Sequence, residues 1–117
     1  MEEAGEYDIT IEQGSDFELP LTYEAPEGSV VDFTGSTAQM QAREAYGSTD
    51  TLFELTTTNG GIILGGLAGT ITLKMAAAAT ALLSFTRAVY DLEVVSSTGK
   101  VYKVIKGSVF LKREVTR

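Results

Sequence analysis

The sequence predicts an all-β fold, a single immunoglobulin-like β-sandwich of about eight strands with one short helix over residues 76–83. Three observations predict it. Apolar and polar residues alternate with a period of two through most of the chain, as they do in strands with one buried face. Breaks rich in Gly, Ser, Asn and Asp separate these runs about every 8 to 12 residues. The alternation fails clearly only in "AAAATALL", where alanine's helix propensity favours one or two helical turns. The disulfide and tryptophan of antibody domains are absent, since the chain has no Cys and no Trp.

The elements follow in order. "YDITIEQG" sets Tyr7, Ile9 and Ile11 against Asp8, Thr10 and Glu12, and "DFELPLTY" sets Phe17, Leu19, Leu21 and Tyr23 against Glu18, Pro20, Thr22 and Glu24. Pro20 has no N–H for a ladder bond, so this second strand is expected at a sheet edge or a bulge. "APEGSVVDFTGS" carries turn residues at both ends, and "TAQMQAR" points Ala38, Met40 and Ala42 inward. "TLFELTT" and "GIIL" bracket Asn59-Gly60, the dipeptide of a type I′ hairpin, in which both residues take positive φ. "TITLKM" places Ile71, Leu73 and Met75 on one side. The run at 76–83 reads as a helix plugging one end of the sandwich, with Leu82 and Leu83 packed beneath it. "AVYDLEVV" and "KVYKVIKGSVFLKREV" complete the sheet, with Gly107 expected to mark a bulge or a bend between sheets.

Within "EVVSSTGKVYKV", the Thr-Gly-Lys step invites comparison with a phosphate-binding loop. That loop needs a first glycine where this chain has Val94 and a hydroxyl residue where it has Val101, so the phosphate cradle cannot form. Ser96-Ser97-Thr98-Gly99 reads instead as a hairpin turn between two strands.

At 117 residues, residues 1–117 are expected to form one domain, with 1–6 a flexible acidic tail. A chain of this size buries about two-thirds of the surface it exposes when unfolded, so it needs no metal or disulfide staple. The apolar run from Met75 to Leu83 is too short to span a bilayer, and the acidic "MEEAGEYD" does not read as a secretory signal.

Missing residue types exclude much chemistry. With no His and no Cys, a Ser-His-Asp or Cys-His arrangement is impossible, as is an ordinary zinc or iron site, leaving carboxylate pairs as the main enzymatic option. The expectation is no enzyme, no catalytic or cofactor-binding residues and no metal. Asp8, Glu12 and Asp16 lie close enough in sequence to suggest calcium, but no Asp-x-Asp-x-Asp-Gly loop is present to wrap the ion. Asp91 reads as an outward strand residue. Gly14, Gly35, Gly60, Gly69 and Gly99 read as turn or strand-entry positions with unusual backbone angles.

Charge is uneven. Residues 1–27 hold nine acidic residues and no basic one, while residues 99–117 hold six basic residues against Glu114. Either the first and last strands lie side by side or these are solvated faces; head-to-tail contact between copies is the sharper alternative. A net charge of −7 argues against nucleic acid as a partner.

The series "IEQGSDFELPLTY", "VVDFTGSTAQMQAR", "AGTITLKMAAAAT", "AVYDLEVVSSTGKVYKVIKGSVFL" and "REVTR" resembles, from Ile9 to Arg117, a family of small proteins and N-terminal fibre or baseplate modules encoded among the tail genes of tailed bacteriophages and prophages. The resemblance implies a structural component of a virion: tail, baseplate, collar or fibre attachment. Such a protein would be made in the bacterial host cytoplasm, dock onto other phage structural proteins and be present as a homo-oligomer or in multiple copies, with no membrane partner. The alternatives are a capsid decoration protein and a host-surface carbohydrate-binding module. The second is weakened by the lack of tryptophan and by Tyr and Phe falling mostly on inward positions.

Overall fold

The structure, a computed structural model, describes residues 5–23, 32–65 and 69–115. The sequence expectations for 1–4, for Glu24 and all of "APEGSVV", for the middle of "GGLAG" and for the last two residues lie outside this set. The elements are β1 (Gly5–Glu6), β2 (Ile9–Glu12), β3 (Phe17–Thr22), β4 (Thr37–Arg43), β5 (Phe53–Thr56), β6 (Ile62–Leu64), β7 (Thr70–Met75), α1 (Ala77–Thr80), β8 (Arg87–Val95) and β9 (Val101–Lys112). They form a β-sandwich. The larger sheet runs β1-β9-β8-β4-β5, with β2 also pairing β9, and the smaller runs β3-β7-β6. The core is the inward row of each strand: Ile9 and Ile11, Ala38, Met40 and Ala42, Ile71 and Leu73, Tyr90, Leu92 and Val94. Among the described residues no helix is long and apolar enough to cross a membrane.

The acidic and basic ends are neighbours. β1 and β2 run parallel to β9 in one register, Gly5 opposite Ile105 through Glu12 opposite Lys112. Glu6 therefore faces Lys106, and Glu12 faces Lys112. Gly5 and Glu6 belong to the sheet, which corrects the expected flexible acidic tail of residues 1–6 at these two positions.

The register is kept across a break at Tyr7 and Asp8. Tyr7 N–H donates to the Lys106 carbonyl at 2.9 Å, but the Tyr7 carbonyl turns inward and accepts from the Tyr90 hydroxyl at 2.5 Å. The Asp8 carboxylate takes the vacated place and accepts from Ser108 N–H at 3.1 Å. Gly107 permits this approach, because a Cβ there would lie 2.4 Å from the Tyr7 carbonyl oxygen. Gly107 is thus a close-approach glycine inside a continuous strand, not a bulge. The register shift falls between Leu92 and Glu93, opposite Ile105 and Lys103, leaving Val104 as the extra residue.

Pro20 lies on an edge strand, as expected. Tyr23 N–H donates to the Gly69 carbonyl, and β3 pairs β7 with Thr22 opposite Thr70. Bonded pairs therefore fall at odd positions of β3, so the ring nitrogen of Pro20 faces the open edge, where no ladder bond is missed. The five glycines expected to need unusual angles are those with positive φ among the described residues. The turn at Ser96–Lys100 is a hairpin as read, closed by Ser96 N–H to the Lys100 carbonyl at 2.8 Å and by Gly99 N–H to the Ser96 carbonyl at 2.9 Å.

Two local expectations fail. Asn59-Gly60 does not close a hairpin: β5 pairs β4 and β6 pairs β7, so the segment crosses from one sheet to the other, with positive φ at Gly60 alone. The helix covers Ala77–Thr80 rather than 76–83, after which Leu82 and Leu83 N–H groups donate three residues back, to Ala79 and Thr80. That tightening buries Leu83 but leaves Leu82 84% exposed. Thr80 anchors the helix from inside, donating to the Ser15 carbonyl at 2.8 Å and accepting from Gly14 N–H at 3.0 Å.

Candidate functional site

The outer face of the larger sheet carries a polar row across its width. Glu6, Lys106, Asp91, Gln41 and Glu54 lie opposite one another across five strands. Side chains on this face are fixed by one another. Glu54 Oε2 accepts from Gln39 Nε2 at 2.5 Å and from Gln41 Nε2 at 2.8 Å. Gln41 Oε1 in turn accepts from Arg43 Nη2 at 2.8 Å, while Arg43 Nη1 donates to the Ser48 and Thr49 carbonyls at 3.1 and 2.8 Å. The hydrogen bonds from Gln41 and then Gln39 hold the Glu54 carboxyl below the ordinary carboxylate range. Across the sheet, Lys103 Nζ lies 2.5 Å from Glu93 and 3.8 Å from Asp91. Its bond to Glu93 raises its affinity for the proton. Asp91 is outward, as its place in "YDLE" suggests.

Gln39, Gln41, Arg43, Asp91, Glu93 and Lys103 line a shallow concavity of about 240 Å³, together with Tyr46, which is 71% exposed. Pockets for drug-sized ligands are usually about 300–1,000 Å³ and mostly apolar. This one is smaller, polar and open, so it suits contact with a macromolecular surface.

Two further concavities flank the sandwich. One, about 570 Å³, lies beside α1 and is lined by Leu52, Phe53, Leu55, Met75 and Leu83 among others. The Asn59 amide on its rim is already bonded to the Glu54 carbonyl, Thr56 N–H and Gly61 N–H. The other, about 360 Å³, opens between β2 and β3 and brings together Asp8, Glu12, Asp16 and Glu18. Asp8 Oδ1 is bonded to Ser108 N–H, and Asp16 Oδ1 to Ala77 N–H at 2.7 Å. Among the described residues no group of three or more acidic side chains is placed to hold a metal ion.

The polar network was missed by sequence reading. Gln39, Gln41 and Arg43 were legible as outward residues, but their link to Glu54 depends on β4 pairing β5, which only long-range topology supplies.

No family model and no curated protein matches the chain. Among solved structures it is similar to CopC from Methylosinus trichosporium OB3b, at 15% identity and a TM-score of 0.49, over 94% of this chain and 88% of that one. The virion structural function expected from the sequence is corrected here: no family model or curated protein supports it, and a solved structure to which the chain is similar is CopC, not a phage tail protein. Of the motifs that carried the resemblance, Gln13-Gly14 and Asp32-Phe33-Thr34-Gly35 fall at turns and Tyr90-Asp91-Leu92 within β8, positions that by themselves carry no function.

Proposed function

We propose that the chain is a non-catalytic recognition domain whose working surface is the outer face of the β9-β8-β4-β5 sheet, binding another protein. The observation that carries this reading is the hydrogen-bond chain Arg43–Gln41–Glu54–Gln39, which fixes long polar side chains before any partner arrives and so lowers the entropy lost on binding. Tyr46, mostly exposed beside that chain, supplies the amphipathic anchor that protein interfaces favour. The absence of His and Cys supports a binding role rather than a catalytic one. So do the displaced titrations of Asp32, Glu54, Tyr90 and Lys103, each of which moves away from neutrality and not towards it.

A photo-crosslinking residue placed at position 46, and in a second sample at position 72 on the outer face of the smaller sheet, tests the reading in extracts of the native cells. Capture of one defined protein from position 46 and none from position 72 is the expected result. Equal capture from both, or none from either, overturns it.

A further inference from the structure

Among the described residues, nothing seals the side of the sandwich between β2 and β3. Phe17, Leu19 and Leu21 point inward from β3 yet are only half-buried, whereas Ile71 and Leu73 beside them on β7 are fully covered. The two strands bordering this opening differ in what their free backbone edges offer. On β3 the outward positions are Glu18, Pro20 and Thr22, and Pro20 deletes the central donor, which guards that edge against strand addition. On β2 the Gln13 N–H points to β9, so the alternating pattern turns the N–H groups of Thr10 and Glu12 and the Thr10 carbonyl outward, and both residues are exposed, while the Glu12 carbonyl accepts from Ser15 N–H at 3.1 Å. No proline interrupts that edge. Its outer-face side chains are Glu6, Asp8, Thr10 and Glu12, with Asp16 and Glu18 across the opening.

We propose that the β2 edge accepts an extended basic polypeptide segment from a partner protein as an added strand. Main-chain bonds run to the Thr10 N–H and carbonyl and to the Glu12 N–H, alternate apolar residues of the segment cover Phe17 and Leu19, and the intervening Lys or Arg residues face Glu6 and Glu12. Three independent features agree on this occupant. The free donors and acceptors call for a strand, the half-covered apolar row calls for alternate apolar side chains, and the acidic margin calls for positive charge in the positions between. The site shares no residue with the Arg43–Gln41–Glu54–Gln39 network, so it stands or falls separately from the recognition face.

The test is titration of the isotope-labelled chain with an acetylated Lys-Val-Lys-Val-Lys-Val-Lys peptide amide, using the glutamate analogue as control. Expected are saturable shifts of the Thr10 and Glu12 amides with the basic peptide alone, weakened by salt. Thr10→Pro removes an outward N–H that β9 does not use, so it leaves the fold intact while weakening the peptide about tenfold or more. Should that variant unfold, Glu6→Lys/Glu12→Lys serves instead, and the preference is expected to reverse to the glutamate peptide. No binding, equal binding of both peptides, shifts confined to Val89 and Asp91, or self-association of the chain through β2 would each overturn the proposal.

Discussion

Thr56 and Asn59 hold each other by reciprocal bonds: Asn59 N–H donates to Thr56 Oγ1 and Thr56 N–H donates to Asn59 Oδ1, both at 2.9 Å. Asn59 Nδ2 also donates to the Glu54 carbonyl at 3.0 Å. Bonded pairs between β4 and β5 fall at odd positions of β5, as Thr57 N–H to the Ala38 carbonyl shows, so Glu54 and Thr56 turn their backbone groups outward. One side-chain amide thus occupies the free edge of β5 as a neighbouring strand would, closing it to strand addition.

Asn59→Ala is therefore expected to cost about 1 kcal/mol of stability, the solvent-exposed bonds each being worth less than buried ones. It should also reopen the β5 edge. Urea denaturation checks the first effect, and light scattering at rising concentration checks the second, with the variant associating more than the parent. Asn59→Asp, which keeps the acceptor and loses the donor, should fall between them.

Gly107→Ala places a methyl group against the Tyr7 carbonyl. Backbone cannot rotate away as a side-chain tip can, so β1 and β2 must separate from β9 at a cost of about 1–3 kcal/mol. Hydrogen exchange locates the damage: protection is expected to fall at Tyr7, Ile9 and Ile11 and to persist on the β4–β8 pair.

Tyr90 is 2% exposed, and burial pushes its phenol well above the usual tyrosine range, with the neighbouring Asp8 charge adding to the effect. A folded-state value raised above the unfolded 10.0 gives stability that is complete below about pH 10 and is lost as pH rises beyond it. Lys103, also raised, loses its contribution in the same alkaline direction, so the comparison with Tyr90→Phe isolates the phenol. That variant should be about 1 kcal/mol less stable at neutral pH, where the Tyr7 carbonyl loses its partner, and should show a shallower alkaline decline. Equal slopes above pH 10 would contradict the assignment.

Thr80 is fully buried and joins α1 to the β2–β3 turn through Gly14 and Ser15. Thr80→Val keeps the shape but leaves the Gly14 N–H and Ser15 carbonyl unpaired, and about 1–3 kcal/mol of destabilisation is expected. Thr80→Ser retains the hydroxyl and should recover most of it. Thermal unfolding of the two variants beside the parent makes the comparison.

What could be read from the sequence was what local chemistry decides. Alternation placed Ile9, Ile11, Ala38, Met40, Ala42, Ile71, Leu73 and Met75 in the core, the missing N–H placed Pro20 at an edge, and five glycines were identified with their backbone angles. Pairing was the part that local chemistry does not decide. Asn59-Gly60 suits a tight hairpin, but the same two residues also suit a crossing between sheets, and only the partners of β5 and β6 distinguish the two. Gly107 looked like a break in its own strand, when the cause lies 100 residues earlier in the carbonyl of Tyr7. The outer-face network was invisible for the same reason, since Glu54 meets Gln39 and Gln41 only across a strand boundary.

The parallel seam of β1 and β2 against β9 has a mechanical consequence. A pull applied to the chain before Gly5 and after Lys112 drags the two strands lengthwise in opposite directions, so the ladder from Ile105 to Lys112 resists in shear, its bonds loaded together instead of unzipping singly. Tension transmitted through the flanking chain would meet its strongest resistance at the contact joining the two ends, with the Tyr90 hydroxyl and the Asp8 carboxylate acting as cross-pins at its centre.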